Sequence, residues 1–329
     1  MSFEQELGSA VIGTAATPAP AGAEQIDQAE EEDQETAEIE SKKYLDAMWN
    51  GSDPDIKAAF CRRAAKLLQD FPELYPAYHI LALFEPLNSI DDRDLDSVFR
   101  SLKRSNPRKE RDVCLNLLSR GGSIEPAYQI SKLCKQWSSS RFVVAIPRYA
   151  KSAATLIALG ADEIHIGPLG QLGPIDPQLG GLPALGVSQA LQTIAQLAEK
   201  YPGSATMFAE YLKRVLTVEQ IGYCDRIAQS ASQYAHRLLS TKPSIAGRVE
   251  SIANLLVVDY KHHSFVIDFD ESRQLLGEDL VKSETKELEL AERLYQIFDE
   301  SNFWLGLRNK RLLITGDPTE DILVFDLKK

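Results

Sequence analysis

No apolar run in this 329-residue chain approaches the ~20 residues that cover a bilayer, so no membrane-spanning helix is expected. The four cysteines, Cys61, Cys114, Cys134 and Cys224, lie far apart with no CxxC pair, which argues against both a zinc site and a disulfide framework. Histidines number only five; His262 and His263 are adjacent, but no acidic or cysteine partner stands at ligand spacing around them, so no metal is expected. No GxGxxG turn is present, and with it goes the usual sign of a nicotinamide enzyme. No cofactor is expected. There is no Lys or Arg before Lys42, so neither a secretory signal nor an Arg-rich transit peptide fits, and the cytoplasm is the expected location.

The net charge of −12 is localised: residues 1–40 contain eleven Asp or Glu and no Lys or Arg, which leaves −1 for the remainder (−12 minus −11). A nearly neutral body gives no general surface for nucleic acid, and no nucleic-acid partner is expected. Residues 1–40, poor in large apolar side chains, cannot offset the entropy of ordering and are expected to be a disordered acidic tail.

The rest of the chain alternates between two periodicities. Helix spacing over 42–68, interrupted around Gly51 to Pro54, predicts an N-terminal helical segment at 41–76. Apolar runs of strand length follow at 77–84, 113–118, 142–146 and 163–166, separated by helical patterns at 91–104, 126–137 and 153–159. Strands alternating with helices predict right-handed parallel crossovers, an α/β fold whose helices cover the sheet. Residues 167–181, rich in glycine and proline, predict a long structured loop. Helices are expected at 187–200, 219–239, 245–260 and 284–298, with a strand at 265–267 and a hairpin of 312–315 with 322–326.

Two features fall at the carboxyl ends of successive predicted strands, where open α/β sheets place their sites. Ser119-Arg120-Gly121-Gly122 follows the second strand, and a glycine pair there can turn the backbone sharply and leave N–H groups exposed, as an oxyanion hole requires. It could equally be an ordinary turn. Ser152 follows the third strand and starts a helix of small residues, so its hydroxyl is either a nucleophile beside unpaired N–H groups or a helix N-cap.

The segments Ala150-Lys151-Ser152-Ala153-Ala154-Thr155-Leu156-Ile157-Ala158-Leu159-Gly160-Ala161-Asp162-Glu163-Ile164 and Gly170-Gln171-Leu172-Gly173-Pro174-Ile175-Asp176-Pro177-Gln178 resemble the serine dehydrogenase proteinase family. That family is a branch of the signal-peptide peptidase A and caseinolytic protease superfamily. Tyr260-Lys261-His262-His263-Ser264-Phe265-Val266-Ile267-Asp268 is similar to a further signature of it. The resemblance implies a crotonase-like fold, a spiral of βαβ units with C-terminal helices. It places a ClpP/crotonase-like peptidase domain at 77–282 and leaves 283–329 as a helix and hairpin extension. It also implies a homo-oligomer that cleaves peptide or protein substrates.

By the same resemblance Ser152 matches the nucleophile, and Gly121 or Gly122 with the N–H of Ala153 match the oxyanion donors. The place of the loop histidine of caseinolytic proteases is taken by Asp176. Signal-peptide peptidases use a serine-lysine dyad instead, and Lys213 is the nearest match to that lysine, with Lys151 and Lys200 in reserve. Lys151, Asp176 and His263 are accessory candidates. The competing readings are a catalytically inactive scaffold of the same fold that binds peptides or proteins, and acyl-thioester chemistry as in the crotonases.

Overall fold

The computed structural model describes residues 38–176, 178–179, 182–215, 217–260 and 262–327. The chain divides into two units, 1–46 and 47–329. Of the first, 38–46 is described and is helical, part of helix α1 at 38–50; the expected tail falls almost wholly outside the described residues.

Helix α2 (Asp53–Gln69) begins at a capping box in which Ser52 and Asp55 satisfy each other's backbone N–H groups, and Pro54 stands in its first turn. After the short α3 (Leu74–Ala77) the chain enters β1 (Tyr78–Glu85), buried along its whole length. The crossovers follow in order: α4 (Asp92–Ser105), β2 (Asp112–Ser119), α5 (Ile124–Trp137), β3 (Phe142–Ile146), the two-residue β4 (Tyr149–Ala150), α6 (Ala153–Leu159) and β5 (Glu163–Ile166). Strands buried on both faces need helices on both faces, and near-continuous apolar runs such as Phe142-Val143-Val144-Ala145-Ile146 are what that geometry selects.

Beyond β5 come β6 (Gln171–Leu172), β7 (Gln178–Leu179), β8 (Leu182–Pro183), α7 (Ala184–Lys200), α8 (Ala205–Val215), α9 (Val218–Leu239), α10 (Val249–Asn254), α11 (Phe269–Leu276), β9 (Val281–Lys282), α12 (Lys286–Gly306), β10 (Lys310–Gly316) and β11 (Ile322–Asp326). The main sheet runs β11-β10-β1-β2-β3-β5-β9. Strands β1, β2, β3, β5 and β9 are mutually parallel, and β10 and β11 join antiparallel as the expected hairpin. β4 leaves this layer to pair β2 at Ser119↔Ala150 and then β6. This is the α/β fold of parallel crossovers covered by helices that the sequence predicts.

Alternation along β1 separates two packing faces. Leu81 and Leu83 join Leu115, Leu117 and the buried sides of α4, α5 and α6 in the main core. Phe84 points the other way and meets Phe298 of α12 edge-on, with ring centroids 5.2 Å apart.

Several expectations needed correction. The helix at 245–260 is instead a 3-10 turn at Pro243–Arg248, then α10, then a π-helical turn at Leu255–Asp259. The strand at 265–267 reduces to one bridge, Ile267 with Leu172. Helix α12 extends to Gly306, beyond the expected end at 298. Two helices, α8 and α11, were not anticipated.

Candidate active site

β2 ends at Ser119, a fully buried residue whose hydroxyl accepts the Gly121 N–H at 3.0 Å. Its carbonyl accepts the Lys151 N–H at 3.0 Å, which lays the segment after β4 directly alongside the glycine turn. The turn is then closed from its outer side: Ile90 N–H donates to Gly121 O at 3.0 Å, and Ser123 N–H donates to Ile90 O at 2.9 Å. In this parallel bridge the Gly122 N–H faces away from Ile90 and makes no hydrogen bond among the described residues. Only glycine can pass here, because a Cβ on Gly122 would fall onto the backbone N, O and Cα of Ile90.

Ser152 lies on the other side of that turn. Its backbone sits at φ 53°, ψ −120°, a strained conformation for a residue with a side chain, and it is 8% exposed. A sharp turn from strand to helix that holds a serine in this way presents the hydroxyl outward, as in a nucleophile elbow. The Gly121 backbone, at φ 111°, comes so close that a Cβ there would lie 2.7 Å from Ser152 Cβ, 2.8 Å from Lys151 O and 3.0 Å from Ala153 N. The two glycines, the serine and the first N–H of α6 are therefore one cluster. Ala153 N–H, like that of Gly122, has no hydrogen-bond partner among the described residues.

Of the expected donors, the Gly121 N–H is taken by Ser119 Oγ, whereas those of Gly122 and Ala153 have no hydrogen-bond partner among the described residues. The sequence shows a glycine pair but not which amide the buried serine captures.

Helix α6 is buried at every position and is anchored from behind. Ser131 Oγ donates to Ile157 O at 2.9 Å, and the buried Lys242 ammonium donates to Gly160 O at 3.1 Å and to Ala161 O. Burial pushes the Lys242 pKa down to about 8. At its front, Thr155 Oγ1 lies 2.8 Å from Ala150 O and 2.7 Å from Gly173 O, and it accepts the Gly173 N–H at 3.2 Å.

Gly173 begins the loop to Asp176. β6, just before that loop, pairs with the 262–267 segment through Leu172 N–H to Ile267 O at 2.8 Å and Ile267 N–H to Leu172 O at 3.1 Å. The pairing brings His263 Nδ1 to 3.7 Å from Asp176 Oδ2, with Asp176 buried and the His263 side chain 32% exposed. The separation is longer than a hydrogen bond, as is common before substrate is bound. Lys151 connects the same parts: its stem runs along Gly173, where a Cβ would lie 3.0 to 3.3 Å from its methylenes, and its Nζ donates to Ser264 O at 3.3 Å. Burial first and the Arg120 charge second lower the Lys151 pKa.

Lys213, the expected base, is exposed near the end of α8, a helix with no buried residue, and makes no hydrogen bond with Ser152. Lys200 is likewise exposed, 5.5 Å from the Tyr201 ring centroid. What sequence reasoning missed is the partnership of Asp176 with His263; both were accessory candidates, but nothing in their spacing joined them.

One further acid stands beside the glycine turn. Glu85 ends β1, is paired in register with Ser119, and is buried with Oε2 lacking a hydrogen-bond partner. Burial first, then the charges of Asp94 and Asp91, raise its pKa from 4.5 to about 8; Arg93 is the opposing cation. The folded chain thus holds a proton that the unfolded chain releases between pH 4.5 and about 8, so this contribution to stability is complete below 4.5 and falls as pH rises through that window. Urea midpoints measured from pH 5 to 9 are expected to decline more steeply for the native chain than for Glu85→Gln, which cannot ionise.

Residues 82–209 match the ClpP-like SDH-type serine proteinases. Over that segment the resemblance drawn from the sequence holds, and the family is one of serine proteinases. Two uncharacterized proteins of Methanocaldococcus jannaschii are similar, one 28% identical over 182 residues (55% of this chain, 57% of that protein) and one 32% identical over 97 residues (30% and 32%). The chain thus spans 57% or less of the length of these curated relatives. Solved structures that it resembles include a mutant of the 1510-N membrane-bound stomatin-specific protease, at 14% identity and TM-score 0.41 over 68% of this chain and 84% of that one. ClpP1 from Listeria monocytogenes matches at 14% identity and TM-score 0.38, over 64% and 94%. A putative enoyl-CoA hydratase from Streptomyces coelicolor A3(2) matches at 13% identity and TM-score 0.37, over 71% and 76%. Among the described residues no helix is long and apolar enough to cross a membrane, and no group of His, Cys, Asp and Glu could hold a metal.

Proposed function

We propose that the chain is a serine peptidase in which Ser152 attacks the scissile carbonyl. The observation that carries this reading is the strained Ser152 backbone packed directly against Gly121, with the Gly122 and Ala153 N–H groups open beside it. His263, oriented by Asp176, takes the Ser152 Oγ proton on Nε2; the carbonyl oxygen becomes an oxyanion that the Gly122 and Ala153 N–H groups stabilise. His263 then returns the proton to the leaving amine, and water, deprotonated by the same imidazole, resolves the acyl-enzyme. In this arrangement Lys213 has no part, and the engagement of the Lys151 ammonium with Ser264 O favours His263 over it as base.

A fluorophosphonate probe tests the proposal: it labels the native protein and not Ser152→Ala. Absence of labelling in the native protein would favour the non-catalytic scaffold. Lys213→Ala is expected to change kcat/KM by no more than about twofold, as for an exposed substitution away from the chemistry; a loss of several hundredfold would restore the serine-lysine dyad. Assembly into a homo-oligomer remains part of the proposal, supported by the exposure of Met207, Tyr211 and Val215 on α8.

A further inference from the structure

The register that joins β2 to β4 has a second consequence. Ser119 pairs with Ala150, so the next residues in parallel register are Arg120 and Lys151, one preceding the glycine turn and the other preceding Ser152. Arg120 is exposed, its guanidinium carbon 5.9 Å from the Tyr149 ring centroid. Lys151 is half-buried, held by Gly173 and Ser264 O. Neither cation has a carboxylate partner among the described residues, although the chain forms ion pairs widely elsewhere, at Arg104, Lys135, Arg141 and Lys310 among others. Two like charges on adjacent strand ends repel; burial first and the Arg120 charge second lower the affinity of Lys151 for its proton. A bound anion would relieve that repulsion, and the half-buried ammonium would hold it more strongly than a surface lysine would.

We propose that Arg120 and Lys151 form an anion subsite beside Ser152, which selects peptides carrying a carboxylate close to the scissile bond. The proposal rests on the reading of Ser152 as the nucleophile. The carboxylate can belong to an Asp or Glu side chain or to a free C-terminus; both offer the same planar pair of oxygens to a guanidinium fork and an ammonium.

Two measurements test it. In the first, kcat/KM is compared for short peptides that differ only as Glu against Gln next to the cleaved bond, each with an amidated or a free C-terminus. At low ionic strength at least one carboxylate form is expected to exceed its neutral isostere by about tenfold or more. That ratio should shrink toward one in Arg120→Gln and Lys151→Gln and fall with added salt. The Glu/Gln pair and the amide/acid pair identify which carboxylate is read. In the second, binding of the same peptides to Ser152→Ala is measured by calorimetry, so that the subsite is read without turnover. Equal affinities for all four peptides, or a carboxylate preference unchanged in both Gln variants, would overturn the subsite. If the native protein failed to label with fluorophosphonate but Ser152→Ala still preferred carboxylate peptides, the hydrolase reading would fall and the subsite would stand.

Discussion

Ser152→Ala is expected to lower kcat/KM for a peptide substrate by at least about 10⁴-fold, with the fold and thermal stability retained or improved. Retention of the fold follows from the backbone at this position. The hydroxyl makes no hydrogen bond to the described protein, and the residue is held in its strained conformation by its surroundings, with Gly121 on one side and the buried α6 on the other. Removing Oγ deletes the attacking atom and little else. His263→Ala is expected to cost nearly as much, because without an imidazole the serine must lose its proton to water. The diagnostic outcome is non-additivity: if the two residues act in one step, the double variant is no slower than either single one. Asp176→Asn should fall between these and the native protein, since the histidine keeps its ring but loses the charge that orients it. Steady-state kinetics on the four proteins decide the matter, and a Ser152→Ala variant with native turnover would remove the hydrolase proposal altogether.

Gly121→Ala carries the second largest effect, and it acts on stability and rate together. The added Cβ would stand 2.7 Å from Ser152 Cβ and 2.8 Å from Lys151 O, at a φ of 111° that side chains rarely adopt. Backbone strain of this kind costs about 1–3 kcal/mol, visible as a lowered urea midpoint. Relief of the clash requires the glycine turn and the serine to separate, which moves the Gly122 N–H away from the oxyanion position. Loss of one such donor costs about 10²–10³ in kcat. The expected signature is a kcat defect that persists at temperatures where the variant is fully folded, with KM little changed. A variant that is destabilised but turns over normally would show that the Gly122 amide is not a donor.

The order of strands and helices was legible because it is written in short-range pattern: the short β-branched run at 142–146 reads as a buried strand, and the small residues of 153–159 read as a helix packed close behind it. The junction of Gly121 with Ser152 was legible for the same reason, as both follow consecutive parallel strands. Helix α8 carries Met207, Tyr211 and Val215 at four-residue spacing, a helical signal that sequence reading passed over, and the structure leaves that stripe exposed. Residues 243–259 kept helical spacing in sequence but broke into 3-10, α and π turns, a choice made by packing around Leu256 and Val257 and not by propensity. The pairing of Asp176 with His263 depends on the Leu172–Ile267 bridge, a tertiary contact that no local spacing encodes. In the proposed site the choice of Gly122 over Gly121 turns on one buried hydroxyl, that of Ser119.

Thr155 ties two movable parts into one. Its hydroxyl holds the end of β4 and Gly173 at once, so the helix that begins at Ser152 and the loop that leads to Asp176 must shift in concert when the molecule breathes. A valine at 155, nearly the same shape but unable to bond either carbonyl, is expected to loosen the tie between the two.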